Sequence, residues 1–260
     1  MWQYRILETG FFHADGGAMF GAVPKRAWKR KYPSGDDNCC ILAMNCVLLW
    51  SNEKVILFDT GVGTKDLGKW AYYRFHDTKD IVDLVKGQGF HPDDITDVIL
   101  SHLHFDHCGG CTYRDKNNQL QITFPNAKHY VGEAQWDNYL NPNLLEKHSF
   151  GKDDMMPVKQ ADLLTLIDED IELYPNLFLS IYPGHTIGQI LLSFLSEEGW
   201  IVCPSDIIPT KAHLPDDWIS AYDVQPLESL NAKISLKEKI KNTSASFIFY
   251  HDAYKKVSKR

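Results

Sequence analysis

The sequence predicts an α/β protein in which helices cover β-sheets, and three observations carry that prediction. Two apolar runs, Cys39 to Trp50 and Glu53 to Asp59, are separated only by Ser51-Asn52, the pattern of a β-hairpin central to one sheet. The segment Asp80 to Lys86 sets Ile81, Val82, Leu84 and Val85 at near-helical spacing and stops at Gly87 and Gly89, ahead of the strand-like Val98-Ile99-Leu100. Leu227 to Lys241 is amphipathic at the helical period, with Leu227, Leu230, Ile234 and Ile240 assigned inward and the lysines outward. Strand, helix and strand in succession build a sheet with helices packed on it. A chain of 260 residues with 44% hydrophobic content can bury a substantial core, and we expect one domain over residues 1–260.

The remaining elements follow in order. Trp2 to Leu7 alternates and is aromatic, as an N-terminal edge strand would be. Phe11 to Trp28 contains Gly16-Gly17, Gly21 and Pro24, which predicts a long loop whose apolar Met19, Phe20 and Trp28 either cap the core or touch a substrate. The aromatic stretch Trp70, Tyr72, Tyr73 and Phe75 follows Asp59 and suggests a cleft wall. Gln121 to Phe124 and Lys128 to Val131 are short strands, and a helix begins at Gly132. Residues 137–162 carry Pro142 and Pro157 without periodicity and read as an irregular insertion beside the cleft, with His129 and His148 expected at the surface. Short strands return at 163–167, 177–182, 189–195 and 200–203, and Ser246 to Tyr250 is the last.

Composition excludes several functions. The net charge of -7 and the shortness of the basic cluster Lys25 to Lys31 argue against a nucleic-acid partner. No apolar stretch reaches the ~18 residues of a membrane span, and the N-terminus has no basic region leading into an apolar core. The six cysteines sit in apolar contexts, which points to a reducing cytoplasm. Cys108-x-x-Cys111 has no second pair to complete a thiolate zinc site.

The densest chemistry is Ser101-His102-Leu103-His104-Phe105-Asp106-His107-Cys108-Gly109-Gly110, directly after an apolar strand. His102 and His104, two apart, point the same way on extended backbone, and the glycines are expected to turn the chain tightly away. Imidazole and carboxylate donors suit zinc first, with manganese, iron or cobalt as alternatives.

His-x-His-x-Asp-His at a strand end resembles the signature of the metallo-β-lactamase-fold hydrolases. Further segments match in the family's order: Gly184-His185-Thr186, the strand-terminal Asp206 in Cys203-Pro204-Ser205-Asp206, and His251 in Tyr250-His251-Asp252. Asp59-Thr60-Gly61 resembles the element beneath the metals, and Asp59 is expected to orient a ligand histidine. Asp206 competes with Asp216, Asp217 and Asp223 for the carboxylate position and is preferred because it alone follows a buried strand. The resemblance implies a four-layer αβ/βα sandwich of two mixed sheets flanked by helices. It also implies two divalent metal ions: His102, His104 and His185 on one, Asp106, His107 and His251 on the other, and Asp206 bridging. A metal-bridging hydroxide would then attack an ester or lactone, and Asp106 could pass a proton to the leaving group.

His-Phe-Asp-His and the segment Gly16 to Gly21 are similar to the N-acyl homoserine lactonase branch. One departure stands out: where that branch has a lactone-contacting tyrosine, three residues after the bridging aspartate, this chain has Pro209, and Tyr222 is a candidate substitute. The alternatives are a phosphotriester, aryl-ester or thioester hydrolase of the same fold, and lastly a non-enzymatic metal-binding sensor. A diiron redox relative would bring a flavin-binding domain for which the chain has no room. The partner implied is a small ester or lactone. The surplus of aromatic residues on loops also admits a homodimer.

Overall fold

The computed structural model describes residues 1–259. Strand β1 (Gln3–Asp15) lies at the edge of the first sheet, antiparallel to β2 (Cys39–Trp50), which pairs in turn with β3 (Val55–Phe58) as the expected hairpin. From β3 onward the sheet is parallel through β4 (Asp97–Ile99) and then, past the small hairpin of β5 (Thr112–Arg114) and β6 (Leu120–Ile122), through β7 (Lys128–Gly132) and β8 (Leu164–Ile167). The second sheet holds β9 (Ile171–Tyr174), β10 (Leu177–Ile181), β11 (Ile190–Ser196), β12 (Gly199–Cys203), β13 (Ser246–Ile248) and β14 (Val257–Lys259), and β12 and β13 are its parallel pair. The helices are α1 (Gly16–Phe20), α2 (Lys25–Trp28), α3 (Ile81–Lys86), α4 (Phe105–Cys108), α5 (Glu133–Leu140), α6 (Lys152–Gln160) and α7 (Pro226–Lys239).

Side-chain alternation sorts the core into three apolar layers, as a two-residue strand period requires. Along β2, Val47 and Leu49 join Ile56, Phe58 and Ile99 against Leu177, Ile190, Leu192 and Phe194 of the second sheet. The intervening Met44, Cys46 and Leu48 face the other way, toward Val85 of α3 and Val158 of α6. Leu191, Val202 and Phe247 meet Ala232 and Leu236 of α7 and Ile240 directly after it. Helix, sheet, sheet and helix are thus the four layers expected. No helix among the described residues is long and apolar enough to cross a membrane.

Five local readings are corrected. Strand β1 does not stop at Leu7: Gly10, at φ +137, sits where the register shifts, and the bulge carries pairing on to Asp15. The expected loop from Phe11 to Trp28 is therefore the end of a strand and two short helices, with Asp15 capping α1 through the Ala18 amide, and Met19, Phe20 and Trp28 are buried. Residues 137–162 contain the second half of α5 and all of α6; their period was hidden because α6 buries Asp154, paired with Lys65 at 2.6 Å, beside Met155 and Val158. His129 is fully buried, its Nδ1 donating to the Ala127 carbonyl at 3.1 Å. In α7, Leu227 and Ile234 point outward while Lys233 points inward, its Nζ donating to the Trp218 carbonyl at 2.7 Å. That face is set by Ser229, Ala232, Lys233 and Leu236, whose small residues let the helix approach the 184 loop.

Candidate metal centre

Every chemically interesting segment of the sequence leaves the carboxyl end of a strand on the same side of the molecule. Asp59 follows β3, the His102 to His107 segment follows β4, His185 follows β10, Asp206 follows β12 and His251 follows β13. The strands β3 and β4 are parallel to each other, as are β12 and β13, so their ends gather rather than alternate. Backbone bonds then tie the two sheets together at this edge: the Ile190 amide donates to the Ser101 carbonyl at 2.7 Å and the Ala43 amide to the His251 carbonyl at 3.1 Å. Gly109 and Gly110 form the tight 3-10 turn Gly109–Cys111 and also permit close packing, since added Cβ atoms would fall 2.3 Å from the Val62 carbonyl oxygen and 2.4 Å from that of Thr60.

The structure brings His102, His104, Asp106, His107, His185, Asp206 and His251 into one buried cluster. Potential ligand atoms of His102, His104 and His185 lie within 4.8 Å of one another, as do those of Asp106, His107 and His251, and a third such group joins His102 and His107 to Asp206. The outer nitrogen of each histidine is already occupied. His107 Nδ1 donates to Asp59 Oδ2 at 3.0 Å, His185 Nδ1 to Asp223 Oδ1 at 3.0 Å, His104 Nε2 to Glu146 Oε2 at 3.1 Å and His251 Nδ1 to the Ala43 carbonyl at 2.9 Å. Ser101 Oγ donates to Asp59 Oδ2 at 2.8 Å, which leaves it to accept from His102 Nδ1 at 3.0 Å.

These bonds place the lone pair of each neutral ring on the inner nitrogen. The inner nitrogens face one another: His102 Nε2 is 3.1 Å from His104 Nδ1, His185 Nε2 is 3.3 Å from the same atom, and His107 Nε2 is 3.3 Å from His251 Nε2. Opposed lone pairs at such distances repel unless a proton or a metal ion lies between them. Asp206 Oδ1 is also buried without a hydrogen-bond partner, as an oxygen aimed at a cation would be. The donor set therefore fits metal ions.

The electrostatics agree. Burial, reinforced by His107 and His104, pushes His102 well below the ordinary imidazole range. Burial also opposes charge on His107, yet Asp206, Asp106 and Asp59 pull it well above that range. The Asp206 carboxyl is held far below the usual carboxylate range by His251, His107 and His185 despite its burial. Negative charge concentrated in a dry pocket demands a positive partner. Positive φ at Asp59 (58°) and Ser205 (45°) marks two of the turns that aim this site.

The cluster floors a cleft of about 900 Å³, counting the part open to solvent. Phe12, Met19, Leu42, Phe105 and Leu145 form apolar walls, and Tyr73, Tyr222 and Pro209 are also in the lining. The aromatic wall expected after Asp59 is present: Trp70 stacks on Phe105 with centroids 3.9 Å apart, and Tyr73 packs beside it, while Tyr72 is exposed. Of the aspartates that competed with Asp206, Asp223 holds His185 and Asp216 pairs with Lys237 at the surface. Cys108 and Cys111 are buried and free, and stand outside the cluster. Glu146 was not foreseen, because nothing in the polar 137–162 segment signals which carboxylate will turn inward. Hydrogen bonds from His104, Thr186 and Asn138 outweigh its burial and hold it down at about 2.

Comparison with known proteins converges on one family. Residues 42–241 match the metallo-beta-lactamase superfamily. The N-acyl homoserine lactonase AiiA of Bacillus thuringiensis subsp. kurstaki is 26% identical over 227 residues, covering 83% of each chain. A probable metal-dependent hydrolase from Staphylococcus aureus superposes with a TM-score of 0.92 at 26% identity, over 99% of this chain and 92% of the other. An N-acyl homoserine lactone hydrolase solved with N-hexanoyl-L-homoserine at its catalytic metal centre superposes with a TM-score of 0.74 at 25% identity, over 96% and 93% of the chains. With its four-layer fold, its gathered histidines and a match across most of its length, the chain belongs to the metallo-beta-lactamase superfamily and is a metal-dependent hydrolase.

Proposed function

We propose that this protein, as one domain over residues 1–260, is a dinuclear lactone hydrolase acting on N-acyl homoserine lactones or close analogues. His102, His104 and His185 would hold one divalent ion and Asp106, His107 and His251 the other, with Asp206 between them. The observation that carries the reading is the set of inner imidazole nitrogens facing one another while every outer nitrogen is engaged. An all-nitrogen-and-oxygen donor set favours zinc and also accepts manganese, iron or cobalt. Bound there, two such ions would lower the pKa of a water toward neutrality and polarise the scissile carbonyl.

The chain's own residues do the rest. Asp106 lines the cleft and would take the proton given up by the attacking water and hand it to the departing alkoxide as the ring opens. Phe12, Met19, Leu42, Phe105 and Leu145 offer an apolar channel for an acyl chain. Pro209 has no hydroxyl to offer a lactone, whereas Tyr222 lines the same cleft; burial pushes its phenol upward, so it remains a hydrogen-bond donor at neutral pH. Six unpaired cysteines favour residence in a reducing cytoplasm.

The test pairs elemental analysis with hydrolysis of a lactone panel before and after chelation. About two metals per chain with chelator-sensitive opening of acyl homoserine lactones is the expected result. Two metals without lactone opening would move the substrate to phosphotriesters or other esters, and no metal after reconstitution would remove the reading.

A further inference from the structure

Glu146 lies 42 residues beyond His104, on the segment between α5 and α6, and is 3% exposed. Its carboxylate accepts four hydrogen bonds. Oε2 receives His104 Nε2 at 3.1 Å and Thr186 Oγ1 at 2.7 Å, while Oε1 receives Asn138 Nδ2 at 2.8 Å and Asn143 Nδ2 at 2.5 Å. Thr186 adjoins His185, so one carboxylate braces two histidines of the same three-residue group. The two amides cannot easily turn over. Asn143 Oδ1 accepts from the Leu145 amide at 2.9 Å, and Asn138 Nδ2 is also committed to Thr186 Oγ1 at 3.2 Å. The acceptor character of both Glu146 oxygens is therefore demanded from four directions.

We infer that Glu146 is a positioning residue for the His102, His104 and His185 site: it holds His104 in the tautomer that keeps Nδ1 free for metal and ties metal affinity to the folding of the 141–151 segment. The inference rests on the metal-centre reading above. The same segment supplies Leu145 and Ser149 to the cleft, and the Phe105 amide donates to the Ser149 carbonyl at 2.8 Å, so the wall and the ligand are held by one strap.

The discriminating variants are Glu146→Gln and Glu146→Ala. In Glu146→Gln the two asparagine amides keep the glutamine oxygen on their side, which turns its NH₂ toward His104 Nε2. His104 must then accept at Nε2 and carry its proton on Nδ1, where metal would bind. In Glu146→Ala water can replace the lost acceptor. A merely structural role would make the isosteric glutamine the milder change; control of the tautomer makes it the more harmful one.

Metal affinity is read by competition with a chromophoric chelator and by the visible spectrum of the cobalt(II) protein, with circular dichroism confirming that the metal-free variants are folded. Glu146→Gln should bind one of two metals about 10–100-fold more weakly than wild type, with the other unchanged, and should be worse than Glu146→Ala. Wild-type affinity in Glu146→Gln, or alanine worse than glutamine, overturns this inference and leaves the metal centre standing. A wild-type protein that takes up no metal overturns both.

Discussion

Asp59 Oδ2 and His107 Nδ1 meet at 3.0 Å across 48 residues of chain, both side chains wholly closed to solvent. The same carboxylate accepts the Ser101 amide at 2.7 Å and the Ser101 hydroxyl at 2.8 Å, so it organises the base of the cluster without facing the cleft. Asp59→Asn tests that relationship cleanly, because asparagine tolerates the positive φ of 58°. The amide would offer a donor where His107 needs an acceptor. Metal affinity measured against a chelator should fall about 10–100-fold, with the fold retained by circular dichroism.

Asp106 is expected to serve both as a ligand and in proton transfer. Asp106→Asn should keep the metal held by His102, His104 and His185 and lower kcat for lactone opening by about 10²–10⁴-fold. Steady-state kinetics with metal analysis on the same sample check both halves.

Tyr222→Phe removes one hydroxyl from the cleft. If it binds the lactone in place of the residue missing at Pro209, kcat/KM should fall about tenfold, as loss of one hydrogen bond of about 1.5 kcal/mol implies. Tyr73→Phe, in the same cleft, is the comparison that shows whether the loss belongs to position 222.

Gly184 carries φ +142, and an added Cβ would lie 2.4–2.5 Å from Ser229 atoms of α7. Gly184→Ala should therefore cost about 3 kcal/mol through strain and overpacking. Because His185 follows directly, urea unfolding should show the loss and chelator sensitivity should rise with it.

His129 provides a pH prediction away from the metal cluster. Burial lowers its imidazole to about 4, and its Nε2 has no partner. The unfolded chain, with an ordinary value near 6.5, binds the proton first as pH falls. Between about 6.5 and 4 the unfolded state thus carries more protons, and stability drops with falling pH, by up to about 3 kcal/mol for this residue. Above 6.5 the contribution is flat. Urea melts of His129→Leu should show a shallower decline across that window than the wild type.

Much of this was legible in the chain. The hairpin of β2 and β3 and the strands leading to His102, Asp206 and His251 announce themselves by apolar runs that end at turns or chemically distinctive residues, and the helix at Ile81–Lys86 by its apolar spacing and glycine stop. Elements whose buried positions are polar or interrupted were hidden. Gly10 masked the continuation of β1, Asp154 masked α6, and Lys233 turned the true inner face of α7 away from the face its leucines suggested.

By itself, the sequence determined which residue types were available for metal chemistry, their order, and that each follows a strand, since local spacing and hydrophobic period are properties of the chain alone. Only the tertiary structure decided what stands behind them. Asp59 beneath His107, Asp223 behind His185 and Glu146 behind His104 are meetings across 38 to 48 residues. No local pattern encodes such a meeting: it depends on which buried carboxylate the packed sheets and helices bring within hydrogen-bond reach of an imidazole that must not be left unpaired.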